Sequence, residues 1–455
     1  MSRIISRTIL FIFTSIVFWA ILANSVYASP MLPIERMVLS NGLIVLVSEE
    51  HSLPFVTVRL LMEAGSRSDP PGQEGLAYIT ARGLLFGTPR LSAREINESI
   101  DFMGASLNVS PDKDYVTVAL RVLKKNLDRG LGLLIETLMR PGFPEDELKR
   151  EIEATLGSIK SEEDDPGAVA DKAFEKHLFA GNPYGHPVEG TNESLPRITR
   201  EAVVRFYKEH YFPNKAILAV AGDITVQEVR EKIVPILETW ERGKGRTETF
   251  PTFPAVDGAG PKIIRIDRPI TQANIIIGNR GISRANPDFY ALAVMNYILG
   301  GGGFSSRLMQ EVRGKRGLAY SVSSAFETYK YPGSFQIALQ TKNASAEEAI
   351  SIGLKEMERI QNKPVTEKEI GGAKKYLIGS FPMRLDTQEK VANFLTQVEY
   401  YGLGLDYPLK HPSLIASVTQ EDVLRVARAY LRPKEYLLVI VANRGQTGPD
   451  SPAGR

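Results

Sequence analysis

"ITREAVVRFYKEHYFPNKAILAVAGD", residues 198–223, has a counterpart in "VTQEDVLRVARAYLRPKEYLLVIVAN", residues 418–443. Each copy places a threonine, Thr199 or Thr419, where it can cap a helix. Each then runs through a helical stretch to an aromatic residue, a Pro/Lys turn and an unbroken apolar strand. A recurrence about 220 residues apart is far longer than the unit of a solenoid. It predicts a duplicated domain.

The rest of the chain supplies the other elements of each copy. "NGLIVLVSEE" (41–50) and "FVTVRLLMEAG" (55–65) read as strands. "ASLNVSPDKDYVTVALRVL" (105–123) reads as a hairpin whose second arm alternates Val116, Val118, Leu120 and Val122. In "FPEDELKREIEATLGSIKSEEDD" (143–165) the residues Leu148, Ile152, Leu156 and Ile159 fall on one helical face, behind a Pro-and-acid start suited to a helix amino terminus. "ERGKGRTETFPTFPAVDGAGPK" (241–262) has no period and is rich in Gly, Pro and Thr, so it reads as the linker. The predicted fold class is α+β: two α/β-sandwich domains, 29–240 and 263–446, each a mostly antiparallel sheet packed with helices, with a flexible tail at 447–455.

Composition narrows the function. A chain of 455 residues exceeds what one core usually organises. Its 55 basic and 53 acidic residues leave a net charge of +2, too small for a nucleic-acid footprint. The opening "MSRIISRTILFIFTSIVFWAILANSVYASP" sets Arg3 and Arg7 before an apolar run and small residues, which reads as a signal peptide, residues 1–28, cleaved after Ala28. Export, to a bacterial periplasm, is the expectation. No later apolar run is long enough to span a membrane. The absence of cysteine excludes thiol catalysis and cysteine-ligated zinc.

The most informative stretch is "YILGGGGFSSRLMQEVRGKRGLAYSVSSAFETYKYPGSF" (297–335). Gly300, Gly301, Gly302 and Gly303 lack the Lys-Ser/Thr ending of a phosphate loop and suit a turn between helices. Arg313 and Tyr320 flank a helix-to-strand turn. A guanidinium and a phenol there can donate to a peptide carbonyl or to the oxyanion formed on attack. A surface arginine beside a half-buried tyrosine fits the same spacing.

The segment from Ser305 to Ser323 resembles the carboxy-terminal-domain signature of the pitrilysin (insulinase) family of zinc metallopeptidases, which includes the mitochondrial processing peptidase and the ubiquinol–cytochrome c reductase core proteins. "EAGSRSDPPGQEGLAY", "LLFGT", "DELKREIE", "HPVEGTNESLPRIT" and "FYKEHYFPNKAILAVAGD" extend the resemblance over nearly all of the mature chain. It implies that Arg313 and Tyr320 bind substrate and stabilise the transition state, with Gly300 to Gly303 as a substrate contact. It also exposes a loss. Active members carry His-x-x-Glu-His on the helix after "GLA", two imidazoles holding zinc and the Glu acting as general base. Here those positions are Tyr78, Ala81 and Arg82, and with Glu151 on the upstream acidic position the third ligand falls at about Ser158. Arg82 would put a cation where the metal belongs. His51, His177, His186, His210 and His411 form no helical pair that could replace the site. The resemblance therefore implies a chain with no metal of its own, paired with a zinc-bearing homologous subunit that acts on unfolded peptides. Its rival is a structural or peptide-binding homologue without catalytic duty. No nucleic acid and, after signal cleavage, no membrane is expected as a partner.

Overall fold

The structure, a computed structural model, describes residues 33–244 and 260–446. The signal peptide, most of the linker and the tail lie outside the described residues. Two sheets organise the chain. The first contains β1 (Ile34–Val38), β2 (Ile44–Glu49), β3 (Phe55–Met62), β4 (Ser106–Pro111), β5 (Val116–Leu123) and β6 (Ala216–Gly222), in the order β1-β2-β6-β3-β5-β4. The second contains β7 (Lys262–Asp267), β8 (Gln272–Arg280), β9 (Ala319–Glu327), β10 (Ser334–Lys342) and β11 (Leu437–Ala442), in the order β7-β11-β8-β10-β9. Dropping edge strand β1 makes the two orders superimpose. Each sheet has one parallel pair, β2 with β6 and β7 with β11, and is otherwise antiparallel.

The helices follow the same duplication. The first half carries α1 (Leu76–Gly83), α2 (Ala93–Met103), α3 (Leu127–Met139), α4 (Glu145–Glu162), α5 (Pro166–Leu178), α6 (Arg200–His210), α7 (Val226–Lys232) and α8 (Val234–Leu237). The second carries α9 (Phe289–Asn296), α10 (Ala346–Asn362), α11 (Glu367–Gly379), α12 (Gln388–Tyr400), α13 (Tyr407–Ala416) and α14 (Gln420–Tyr430). The threonine caps are present: Thr199 accepts from the Ala202 amide ahead of α6, and Thr419 accepts from the Asp422 amide ahead of α14. Strands β6 and β11, which close the two copies, are buried along their whole length. Central strands covered on both faces need continuous apolar sequence, which explains their lack of alternation.

One face of each sheet packs on helices of its own half, giving two large cores. The other faces are covered by exchange. Helix α5 leaves the first half and lays Ala170, Phe174 and Leu178 against Ile276, Leu437, Val439 and Val441 of the second sheet. Helix α12 returns the favour, with Val391, Ala392 and Leu395 against Leu46, Ile217, Ala219 and Ala221 of the first. Gly278 in β8 accommodates this packing, since a Cβ there would meet the Phe335 carbonyl at 2.1 Å and the Phe174 ring at 2.6 Å. The halves thus share structural layers. Between them, Asp114, in the β4–β5 turn, accepts from the Lys330 amide (2.7 Å) and the Tyr184 hydroxyl and pairs with Arg67 at 3.2 Å. Lys330 in turn reaches Glu63 at 2.8 Å.

Candidate functional site

Helix α1 keeps its frame for packing reasons. The partly buried Asp69 carboxylate accepts from the Gly75 amide (2.8 Å) and the Ala77 amide (2.7 Å), closing the helix amino terminus. Burial raises its pKa well above the usual carboxylate value, against these two hydrogen bonds. Gly75 has a φ of +92°, and a side chain there would strike the Glu189 carbonyl at 2.6 Å. Behind this cap Leu76, Ala77, Ile79, Thr80, Ala81 and Gly83 are buried. The sequence "DPPGQEGLA" is what this fit requires.

Tyr78, Ala81 and Arg82, where the resemblance expects the zinc motif, separate on that helix. Ala81, where the resemblance expects the general base, is fully buried in the apolar core. Tyr78 and Arg82 face α4. Arg82 Nε donates to Glu151 Oε1 at 2.9 Å, with the two side chains 43% and 14% exposed. Burial works against the Arg82 cation, but the bond and the charge of Glu151 outweigh it and raise its pKa. Half-buried Tyr78 lies near Arg82, Glu151 and Thr155, and burial raises its phenol pKa. Ser158 is exposed, farther along α4. These residues do not fit zinc. The groups nearest the expected metal position are a guanidinium, a phenol and an ion-paired carboxylate. Among the described residues no three His, Cys, Asp or Glu side chains come together in a way that could hold a metal ion.

The histidines have other surroundings. His51 bonds Asp223 at 2.7 Å, His186 bonds the Pro187 carbonyl at 2.9 Å, and His177 lies 3.5 Å from Lys262. His210 and His411 stack on Phe206 and Phe381. Burial, reinforced by Arg384 and Arg284, pushes the His411 pKa down to about 4.

The second motif does come together. A short helix beginning at Arg307 widens into a π turn, Met309–Gly314, before the chain turns into β9. Wide turns of this kind re-aim side chains and recur at functional sites. Arg313 Nη1 donates to the Tyr320 carbonyl at 3.1 Å, and its guanidinium carbon lies 4.6 Å from the centre of the Tyr320 ring. The neighbouring cations are occupied: Lys315 and Arg316 pair with Glu311 at 2.6 and 2.8 Å. Arg313 has no carboxylate partner among the described residues, and Tyr320 is 81% exposed. Phe304, 74% exposed, also lies against the Arg313 guanidinium, at 5.0 Å. Spacing gave no hint of it, because the contact is made by the turn after the glycines.

Those glycines differ from one another. Gly300 is buried, and a Cβ there would meet Ser324 at 2.5 Å; Gly301 and Gly302 are hemmed in by Asn296 and Tyr297. Gly303 alone is open, with a φ of +56° that turns the chain toward Phe304.

Residues 44–192 match the family model described as insulinase (peptidase family M16), and residues 197–377 match peptidase M16 inactive domain. A Streptomyces coelicolor protein named as an uncharacterized zinc protease is 30% identical over 417 residues, 90% of this chain and 89% of that one. The chain belongs to the insulinase (M16) peptidase family. Another family member, named as a non-peptidase homolog from Helicobacter pylori, is 27% identical over 401 residues, 88% of this chain and 92% of its own. A solved structure of a peptidase M16 inactive domain from Pseudomonas fluorescens superimposes with a TM-score of 0.84 at 28% identity, covering 92% of this chain and all of that one. M16 peptidases are zinc-dependent. Here Tyr78, Arg82 and Ser158 stand where the resemblance expects the zinc ligands, and Arg82 pairs with Glu151.

Proposed function

We propose that this M16 chain is the non-zinc subunit of an exported, heteromeric metallopeptidase. Its partner is a zinc-bearing homologue that supplies metal, activated water and general base. This chain supplies part of the wall of a chamber for unfolded peptides, together with Arg313, Tyr320 and the Gly300 to Gly303 loop as substrate contacts. The observation that carries the reading is an asymmetry of arginines. Arg82, in the zinc frame, is tied to Glu151; Arg313 has no acidic partner among the described residues and lies beside an exposed phenol. A partly buried cation beside an exposed phenol suits a substrate carbonyl brought from outside the chain. The leader at residues 1–28 supports export.

A second reading, a peptide-holding or structural homologue without turnover, is favoured by the relative named as a non-peptidase homolog. Peptidase assays on an unstructured fluorogenic peptide separate the two. The mature chain alone is expected to be inert, and the mixture with its zinc-bearing homologue to show chelator-sensitive hydrolysis above that of the homologue alone. Arg313→Ala or Tyr320→Phe is expected to lower kcat by roughly 100-fold with assembly intact. No gain on mixing gives the function to the second reading.

A further inference from the structure

We propose that Phe304 is a positioning residue of the Arg313 site, holding the guanidinium in the place from which it meets a peptide carbonyl. The proposal rests on the reading of this chain as a peptide-contacting subunit. Phe304 is 74% exposed, so its ring contributes little to the core and is free to contact a neighbouring side chain. The turn that carries it is built with care. Ser305 Oγ donates to the Gly302 carbonyl and Ser306 Oγ to the Gly303 carbonyl, each at 2.7 Å, and Gln310 Nε2 donates to the Ser305 carbonyl at 3.1 Å. Gly303, at a φ of +56° with no atom near its missing Cβ, supplies the reversal that delivers the ring. The Arg313 guanidinium lies over this ring, 5.0 Å from its centroid.

Arg313 needs a second constraint. Its hydrogen bond and its other ring contact both go to Tyr320, itself 81% exposed. A partly buried arginine held by hydrogen bond from one exposed residue retains rotamer freedom. A second π face attracts the cation without consuming any N–H donor, so the remaining donors stay available to a ligand. An acid in the same place would fix the side chain but neutralise it. Within this segment acids do that to Lys315 and Arg316, both held by Glu311.

The test uses the reconstituted pair and, separately, the mature chain alone. In the pair, Phe304→Ala is expected to lower kcat about two- to five-fold with little change in KM. Phe304→Tyr is expected to restore the rate, Phe304→Leu to fail despite its bulk, and Phe304→Ala to add nothing in an Arg313→Ala background. In the chain alone, the side-chain Nε–H resonance of Arg313, assigned by its loss in Arg313→Lys, is expected to move toward its solvent-exposed position in Phe304→Ala. An unmoved resonance, or Phe304→Leu turning over as well as Phe304→Tyr, overturns the proposal. A pair without chelator-sensitive activity overturns the subunit reading instead, and the resonance then decides the role of Phe304 by itself.

Discussion

Removing the Arg82 guanidinium would leave the Glu151 carboxylate, only 14% exposed, without its partner between α1 and α4. The pair gains from Glu151's burial, but Arg82 is 43% exposed and partly screened by solvent. Arg82→Ala is therefore expected to lower unfolding free energy by about 1 kcal/mol, read from the urea midpoint; an unchanged midpoint would mean the pair holds nothing together. The same chemistry governs the metal. Purified mature chain is expected to carry no stoichiometric zinc by elemental analysis, and one tightly held zinc per chain would contradict the fit described for Tyr78, Ala81, Arg82 and Ser158. The identities of Tyr78, Ala81, Arg82 and Ser158 were legible in the sequence, and the loss of a zinc motif there is what the resemblance implies. The ion pair was not legible, because Arg82 and Glu151 are 69 residues apart and meet only once α4 packs on α1.

The helix that carries Arg313 is pinned by Arg307 at its start. Arg307 makes a two-pronged bond to Glu369, Nε to Oε1 at 2.6 Å and Nη2 to Oε2 at 3.0 Å, and Glu369 also receives the Thr366 amide at 2.7 Å in the capping box of α11. Burial pulls the Glu369 pKa upward, but the Arg307 and Thr366 bonds outweigh it and lower it to about 2. The folded value thus lies below the unfolded one. The ionised form contributes stability at pH values above about 4.5, and that contribution is lost as pH falls toward about 2. Glu369→Gln is expected to cost about 2 kcal/mol at neutral pH and to flatten that part of the acid unfolding curve. An acid limb identical to wild type would show that the pair does not anchor the Arg313 helix. Legibility differed by element. Thr199 and Thr419 caps, the β4–β5 hairpin and the apolar face of α4 could be read from local pattern. The π turn at Met309–Gly314 could not, since it depends on how the chain enters β9.

Exchange of α5 and α12 makes the two sequence halves one cooperative body. Phe174 belongs to the first half by sequence but packs on the second sheet, and Asp114 joins strands and turns of both. Calorimetry is expected to show a single unfolding transition, and Phe174→Ala to shift that whole transition by about 3 kcal/mol of stability. Two resolved transitions, with only one moved by the substitution, would show that the halves unfold independently. The sequence by itself determined the duplication, the α+β class and the absence of histidine and glutamate at positions 78, 81 and 82, because these rest on local periodicity, on capping and on residue identity. Tertiary structure decided that Ala81 faces the core, that Arg82 pairs with Glu151 while Arg313 meets no acid among the described residues, that the Phe304 ring meets Arg313, and that each sheet is covered by a helix from the other half. Each of these is a contact between residues distant in the chain or across a turn, and side-chain burial and electrostatic partnership exist only after the chain has closed on itself.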